Sequence, residues 1–125
     1  MTADNASELL RTFLDALDAM KARHVTALDV RGMTSVADDL VIASGTSSRH
    51  VKSLADNVQE KAKQAGYPPL GTEGAQAAEW ILVDLGDVIV HVMQPGAREY
   101  YDLERLWRNP DHHPDRQQDE QGTAE

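Results

Sequence analysis

Apolar residues along the chain switch between two spacings, and the switches mark out its elements. Leu10, Phe13, Leu14, Leu17 and Met20 recur three and four residues apart, which places them on one side of an amphipathic helix over 7–23. Ser7 is placed to cap it, because its hydroxyl can accept an amide hydrogen that the first turn leaves unpaired. Val25 to Arg31 and Leu40 to Ala43 are short β-rich runs, separated by a Gly-Met-Thr-Ser loop. Val51, Leu54, Ala55, Val58 and Ala62 then mark a second helical face, with Gly66 as its stop. Residues 67–71 are extended or turning, with room for a short edge strand, where a proline's missing donor does little harm. Trp80 to Asp84 and Val88 to Met93 flank a glycine turn and predict a hairpin. The second of these runs is apolar on both faces apart from His91, as suits a central strand covered on both sides. Pro95 opens a last helix on which Tyr100, Leu103 and Trp107 share the core stripe with Leu106 beside them, and Asn109-Pro110 ends it. This order predicts a single α/β domain over 1–108, a mixed β-sheet flanked by helices. Residues 109–125 contain no aliphatic residue larger than Ala and are expected to form a disordered acidic tail.

Length and charge narrow the possible functions. A chain of 125 residues can bury a core without staples, and with no cysteine it has neither disulfides nor thiolate metal sites. No run approaches the ~18 apolar residues of a membrane span, and the start of the chain lacks the marks of a secretory or organellar leader, so a cytoplasmic protein is expected. The formal net charge is −9. Nucleic acid is held chiefly by clustered Lys and Arg, so nucleic-acid binding is not expected to supply the main affinity, and a basic protein partner suits the charge better.

Four features were candidates for chemistry. Ser44-Gly45-Thr46-Ser47-Ser48, between a strand and a helix, is the kind of loop that holds a phosphate, and nucleotidyltransferase folds bind triphosphate on such a loop. Their chemistry also requires two carboxylates on one face of a strand to clamp two metal ions, an Asp-x-Asp or Asp-x-Glu pattern. None follows the loop: Asp84 and Asp87 straddle a glycine turn, and Asp38 and Asp39 are adjacent. The Walker pattern is absent as well. Thr46 or Ser47 acting as a helix cap is the reading this leaves. His91, alone on an apolar strand, is expected to be a packing histidine bonded to a neighbour, and His112 and His113 fall in the tail. No nucleophile elbow is present, so no catalytic residue and no cofactor or metal site is assigned. The remaining feature is Glu99 to Trp107, with three of the chain's six aromatic residues. Helical geometry turns Tyr101 away from the stripe of Tyr100, so one aromatic is expected to be exposed among carboxylates. Together with Trp80 it would form an apolar patch inside a negative rim of Glu79, Asp84, Asp102 and Glu104, suited to a Lys- and Arg-rich protein.

SGTSSRHV at 44–51, Glu73-Gly74, Glu79-Trp80, DLGDVIVHVM at 84–93 and REYYDLERLW at 98–107 together resemble the ribosomal silencing factor family, also called Iojap-like, from about Leu9 to Trp107. The resemblance implies a nucleotidyltransferase-like fold without the catalytic metal pair, and a protein that is not an enzyme. It implies a translational repressor that binds the large ribosomal subunit, through the ribosomal protein numbered fourteen, and blocks joining of the small subunit. On this sequence the family's partner-binding surface falls on Trp80, Tyr101, Asp102, Leu103 and Glu104, with Asp84 and Asp87 nearby, while Arg49 and Glu73 shape the fold. The alternatives are a nucleotide-binding or nucleotidyl-transferring enzyme, which would gather metal on Asp84, Asp87 or Glu73, and an adaptor for another basic protein. The N-terminal helix can cover its own sheet or pair with a second copy of the chain, so a homodimer stays open.

Overall fold

A computed structural model of the chain describes residues 2–108, with the side chains of residues 8–105. The expected tail over 109–125, including His112 and His113, and the side chains of Leu106 and Trp107 lie outside the described residues.

Five strands form one mixed sheet in the order β1-β2-β5-β4-β3. They are β1 (Arg23–Asp29), β2 (Asp39–Ser44), β3 (Gly71–Glu73), β4 (Trp80–Asp84) and β5 (Val88–Met93). Only β2 and β5 run parallel, with helix α2 (Ser48–Gln64), β3 and β4 between them in the chain, and the other neighbours are antiparallel. Every residue of β2 is buried, which explains why Leu40 to Ala43 carry no polar alternation. The edge strands differ from it. The register of β1 shifts between Arg23 and Thr26, where His24 adopts φ 51°, and β3 is three exposed residues long.

Alternation on β4 and β5 divides the core in two. Ile81, Val83, Val88, Val90 and Val92 point to one side and are covered by α1 (Thr2–Ala19) and α2 through Phe13, Leu17, Val51, Leu54 and Val58. The opposite parity carries Leu40, Ile42 and Met93, packed with Val30 and Ala97 and bordered by Trp80, Ile89 and Leu103. Among the described residues, two short helices cover part of this second side: α3 (Pro95–Tyr101) lies against β5, and α4 (Leu103–Arg108) lies against β1.

Three sequence expectations need correction here. The first helix begins at Thr2, so Ser7 is inside it and is not its cap. The last helix is not continuous, because Asp102 adopts a left-handed conformation (φ 51°, ψ 50°) that ends α3 before α4 begins. A periodicity argument assumes an unbroken helix, so the stripe of Tyr100, Leu103 and Trp107 loses its phase at the break. Tyr100 is consequently 81% exposed, whereas Leu103 is partly buried.

Candidate functional site

The Gly-Ser-Thr loop ties the chain to itself. Ser47 is the cap of α2, and its hydroxyl accepts the His50 amide hydrogen at 3.1 Å. The Thr46 amide donates to His50 Nδ1 at 2.9 Å, and the Gly45 amide donates to the Met93 carbonyl at 3.0 Å. With Nδ1 accepting, His50 carries its proton on Nε2 and donates it to the Met20 carbonyl at 2.8 Å, joining the loop to the end of α1. Gly45 is required by close approach: a Cβ there would lie 2.8 Å from Val51 Cγ2 and 2.9 Å from the Val51 nitrogen. These amides are engaged by protein atoms and are not presented to an anion. Titration with ATP and magnesium is accordingly expected to give no saturable heat, and a micromolar isotherm would reopen the enzyme alternative. Among the described residues no three His, Asp or Glu side chains converge as metal ligands do.

The half-covered face of the sheet has a different character. Trp80 opens β4, and its indole Nε1 donates to His91 Nδ1 on β5 at 2.9 Å. Tyr101, at the last turn of α3, lays its ring 4.6 Å from that of Trp80, tilted by 47°. Tyr100 meets Tyr101 edge-on at 5.0 Å. Four rings thus run in sequence from the buried His91 to the exposed Tyr100. Tyr101 is 47% exposed and Trp80 is half-buried. Beside the indole, Glu73, Gly74 and Leu82 line a shallow hollow of about 310 Å³. Gly74 is needed here: at φ +86° it packs its backbone against the Trp80 carbonyl, leaving no room for a Cβ. Gly74→Ala is expected to cost about 2 kcal/mol, from the left-handed backbone and the clash together, read as a drop in the urea midpoint.

His91 is 7% exposed, and burial lowers its pKa to about 4, so it stays neutral at physiological pH. An unfolded histidine titrates near 6.5. The unfolded chain therefore binds the extra proton first as the solution is acidified. Stability from this group is complete above about pH 6.5 and is lost progressively toward pH 4. Between pH 7.5 and 5 the loss is expected to be about 2 kcal/mol, absent in His91→Phe, as measured by denaturant unfolding at both pH values.

Sequence reasoning passed over Arg98. Its guanidinium reaches back from α3, with Nε and Nη2 donating to the two Glu104 oxygens at 2.9 and 3.0 Å. Nη1 donates to Ser44 Oγ at 2.8 Å, and Nη2 also reaches Thr26 Oγ1 at 3.2 Å. This clasp straddles the break at Asp102 and ties both short helices to β1 and β2. The pattern Arg-x-x-x-x-x-Glu gave no sign of it, because six residues is not a contact spacing on a continuous helix.

The predicted residues divide into two groups. Trp80 and Tyr101 meet, with Asp102, Leu103 and Glu104 continuing directly from Tyr101. Leu103 packs into the core beneath, and Glu104 faces Arg98. Asp84 shares the face of Trp80 but stands at the far end of β4, about 13 Å along the strand, and its carboxylate accepts the Gly86 amide hydrogen. Asp87 is exposed in the hairpin turn, where its carbonyl accepts the Asp38 and Asp39 amides. Nearby Asp39 has its pKa raised by burial, against the opposing pull of Arg31. Of the two residues assigned to shaping the fold, Arg49 is exposed in the first turn of α2 and Glu73 lines the hollow beside Trp80.

A mixed five-stranded sheet with helices on both sides, and a partly exposed Trp–Tyr pair on one of them, defines an α/β domain. Residues 3–125 match the model of a family described as ribosomal silencing factor during starvation, and the chain belongs to that family. It is similar to the ribosomal silencing factor of Haemophilus influenzae, 46% identical over 79% of this chain and 97% of that one. A mouse relative, named mitochondrial assembly of ribosomal large subunit protein 1, is 35% identical over 69% of this chain and 39% of its own length. A crystal structure from Chromobacterium violaceum superposes with a TM-score of 0.81 at 44% identity, covering 82% of this chain and 86% of that one. Another, from Bacillus halodurans, gives 0.74 at 39% identity, covering 81% and 94%.

Proposed function

We propose that this protein is a cytoplasmic translational repressor that docks on the large ribosomal subunit and obstructs joining of the small one. Family membership supports a ribosome-associated silencing role, and the name of the mouse relative supports the large subunit as the partner. The observation that carries the reading is the half-exposed Trp80–Tyr101 ring pair, with Glu73 beside the indole and Asp102 directly following Tyr101.

Aromatic side chains supply contact area at low entropic cost and anchor protein interfaces, while carboxylates around them orient a Lys- and Arg-rich partner. The docking partner is a basic protein of the subunit interface, the ribosomal protein numbered fourteen. Trp80, Tyr101, Asp102, Leu103 and Glu104 form the contact, and Asp84 and Asp87 contribute long-range attraction from the far end of the hairpin. A domain of this size has a radius of gyration of about 13 Å and is tens of ångströms across, so it excludes a closing subunit by bulk alone. No bond is made or broken. Co-sedimentation with separated ribosomal subunits at two salt concentrations tests the proposal. The protein is expected to travel with the large subunit, and less of it at high salt, since exposed charges are then screened. A protein that stays at the top of the gradient at both salts would favour an adaptor for some other basic protein.

A further inference from the structure

The ring series ends on a group that the interface itself does not require. His91 lies on the central strand, is almost fully buried, and accepts the indole hydrogen of Trp80 at 2.9 Å. We infer that His91 is a positioning residue that fixes Trp80 as a ring-only contact surface, by holding the indole N–H inside the protein.

Three observations carry this. The first is geometric. Trp80 sits at the first position of β4 and is only partly buried against the second core, so packing alone does not fix every torsion of its side chain. The hydrogen bond to His91 on the neighbouring strand and the tilted contact with Tyr101 of α3, all on one face of the sheet, select one orientation. The second is chemical. An indole has one polar atom and it can only donate. With that donor spent on His91, the exposed part of Trp80 offers hydrocarbon and a π face and no hydrogen bond. The partner group that meets it is therefore an aliphatic stem or a guanidinium or ammonium lying over the ring, and not a carbonyl or phosphate seeking a donor. The third is the protonation state. Nδ1 can accept only while the imidazole is neutral, and burial keeps it so at physiological pH. The inference rests on the docking proposal for its consequence at the partner, but the state of the indole can be read in the free protein.

The test uses the full chain and three variants. His91→Phe removes the acceptor and keeps a buried ring, and His91→Leu removes it with a smaller aliphatic side chain should the larger one fail to fold. His91→Asn restores an acceptor, because its amide oxygen can occupy the place of Nδ1. The indole N–H resonance of Trp80, assigned with Trp80→Phe to separate it from Trp107, reports on the bond. In His91→Phe its exchange with solvent is expected to quicken about fivefold or more, and in His91→Asn to return toward the original rate. Dissociation from isolated large subunits is expected to be about tenfold faster in His91→Phe at a nearly unchanged association rate, and to recover in His91→Asn. An indole whose exchange is unaltered in the apolar variants overturns the inference. So does an indole that is released while dissociation is unaltered. If the unaltered protein does not bind large subunits, the docking proposal fails, and the exchange rates still decide whether His91 holds Trp80.

Discussion

Replacing Trp80 by Ala is expected to weaken binding to isolated large subunits by roughly 100-fold, about 3 kcal/mol, while leaving a cooperatively folded domain. The size of the effect follows from the position of the ring. Trp80 is half-buried in the free protein, so most of its rotamer entropy is already lost before a partner arrives. It is wedged between His91 and Tyr101, and removing it deprives Tyr101 of its only described ring neighbour besides Tyr100. The fold survives because the truncated atoms face the solvent side of the second core, whose centre is Leu40, Ile42 and Met93. His91 Nδ1 loses its donor, but water can enter the space vacated by the indole and replace it. Tyr101→Ala is expected to cost less, because this ring is nearly half exposed and leaves Trp80 in place. Binding measured at one salt concentration, beside a thermal melt of each variant, checks all of this. A Trp80→Ala protein that melts normally and binds normally would remove the ring pair from the interface.

Arg98→Met is expected to lower stability by about 3 kcal/mol, a fall of roughly 13 °C in the melting temperature. The guanidinium and the Glu104 carboxylate are both largely withdrawn from water, with side chains 12% and 22% exposed. Methionine fills much of the same length but leaves the carboxylate and the hydroxyls of Ser44 and Thr26 without their cation. The estimate is at the low end for a broken buried pair because the clasp borders solvent. Glu104→Gln, which keeps shape and can still accept one guanidinium hydrogen, is expected to cost less than half as much. The consequence extends beyond stability. Arg98 fixes α3 and α4 to the sheet across the break at Asp102, and Tyr101 is the last residue of α3. Losing the clasp loosens the platform on which Tyr101 meets Trp80, so Arg98→Met is also expected to weaken subunit binding although Arg98 is not among the proposed contact residues. Equal melting temperatures for the variant and the original protein would show that the clasp contributes little.

The sequence was most readable where one local rule acted alone. The apolar centre of β2, the alternating β4 and the face of α2 follow from periodicity, and capping chemistry narrows the start of α2 to Thr46 or Ser47, of which the structure uses Ser47. His91 was legible for a related reason: a lone imidazole among valines needs a partner to be buried. Legibility failed wherever two distant segments settle the matter together. The left-handed turn at Asp102 is unusual for a non-glycine residue, and nothing local announces it. It is stabilised by the Arg98 clasp, which reaches 54 residues back to Ser44 and 72 back to Thr26. Periodicity runs straight through this break and places Tyr100 in the core, whereas the structure turns it outward. The Trp80–Tyr101 pairing was suspected from composition, but its geometry depends on that same corner.

The margins of the sheet have a consequence for how such a surface is tolerated in a crowded solution. An adhesive aromatic patch beside a long, flat outer strand would invite copies of the chain to join backbone to backbone. Here one margin is interrupted by an irregular register and the other is too brief to template a neighbour. Backbone-to-backbone joining into fibres is thereby disfavoured, while the aromatic side chains stay exposed.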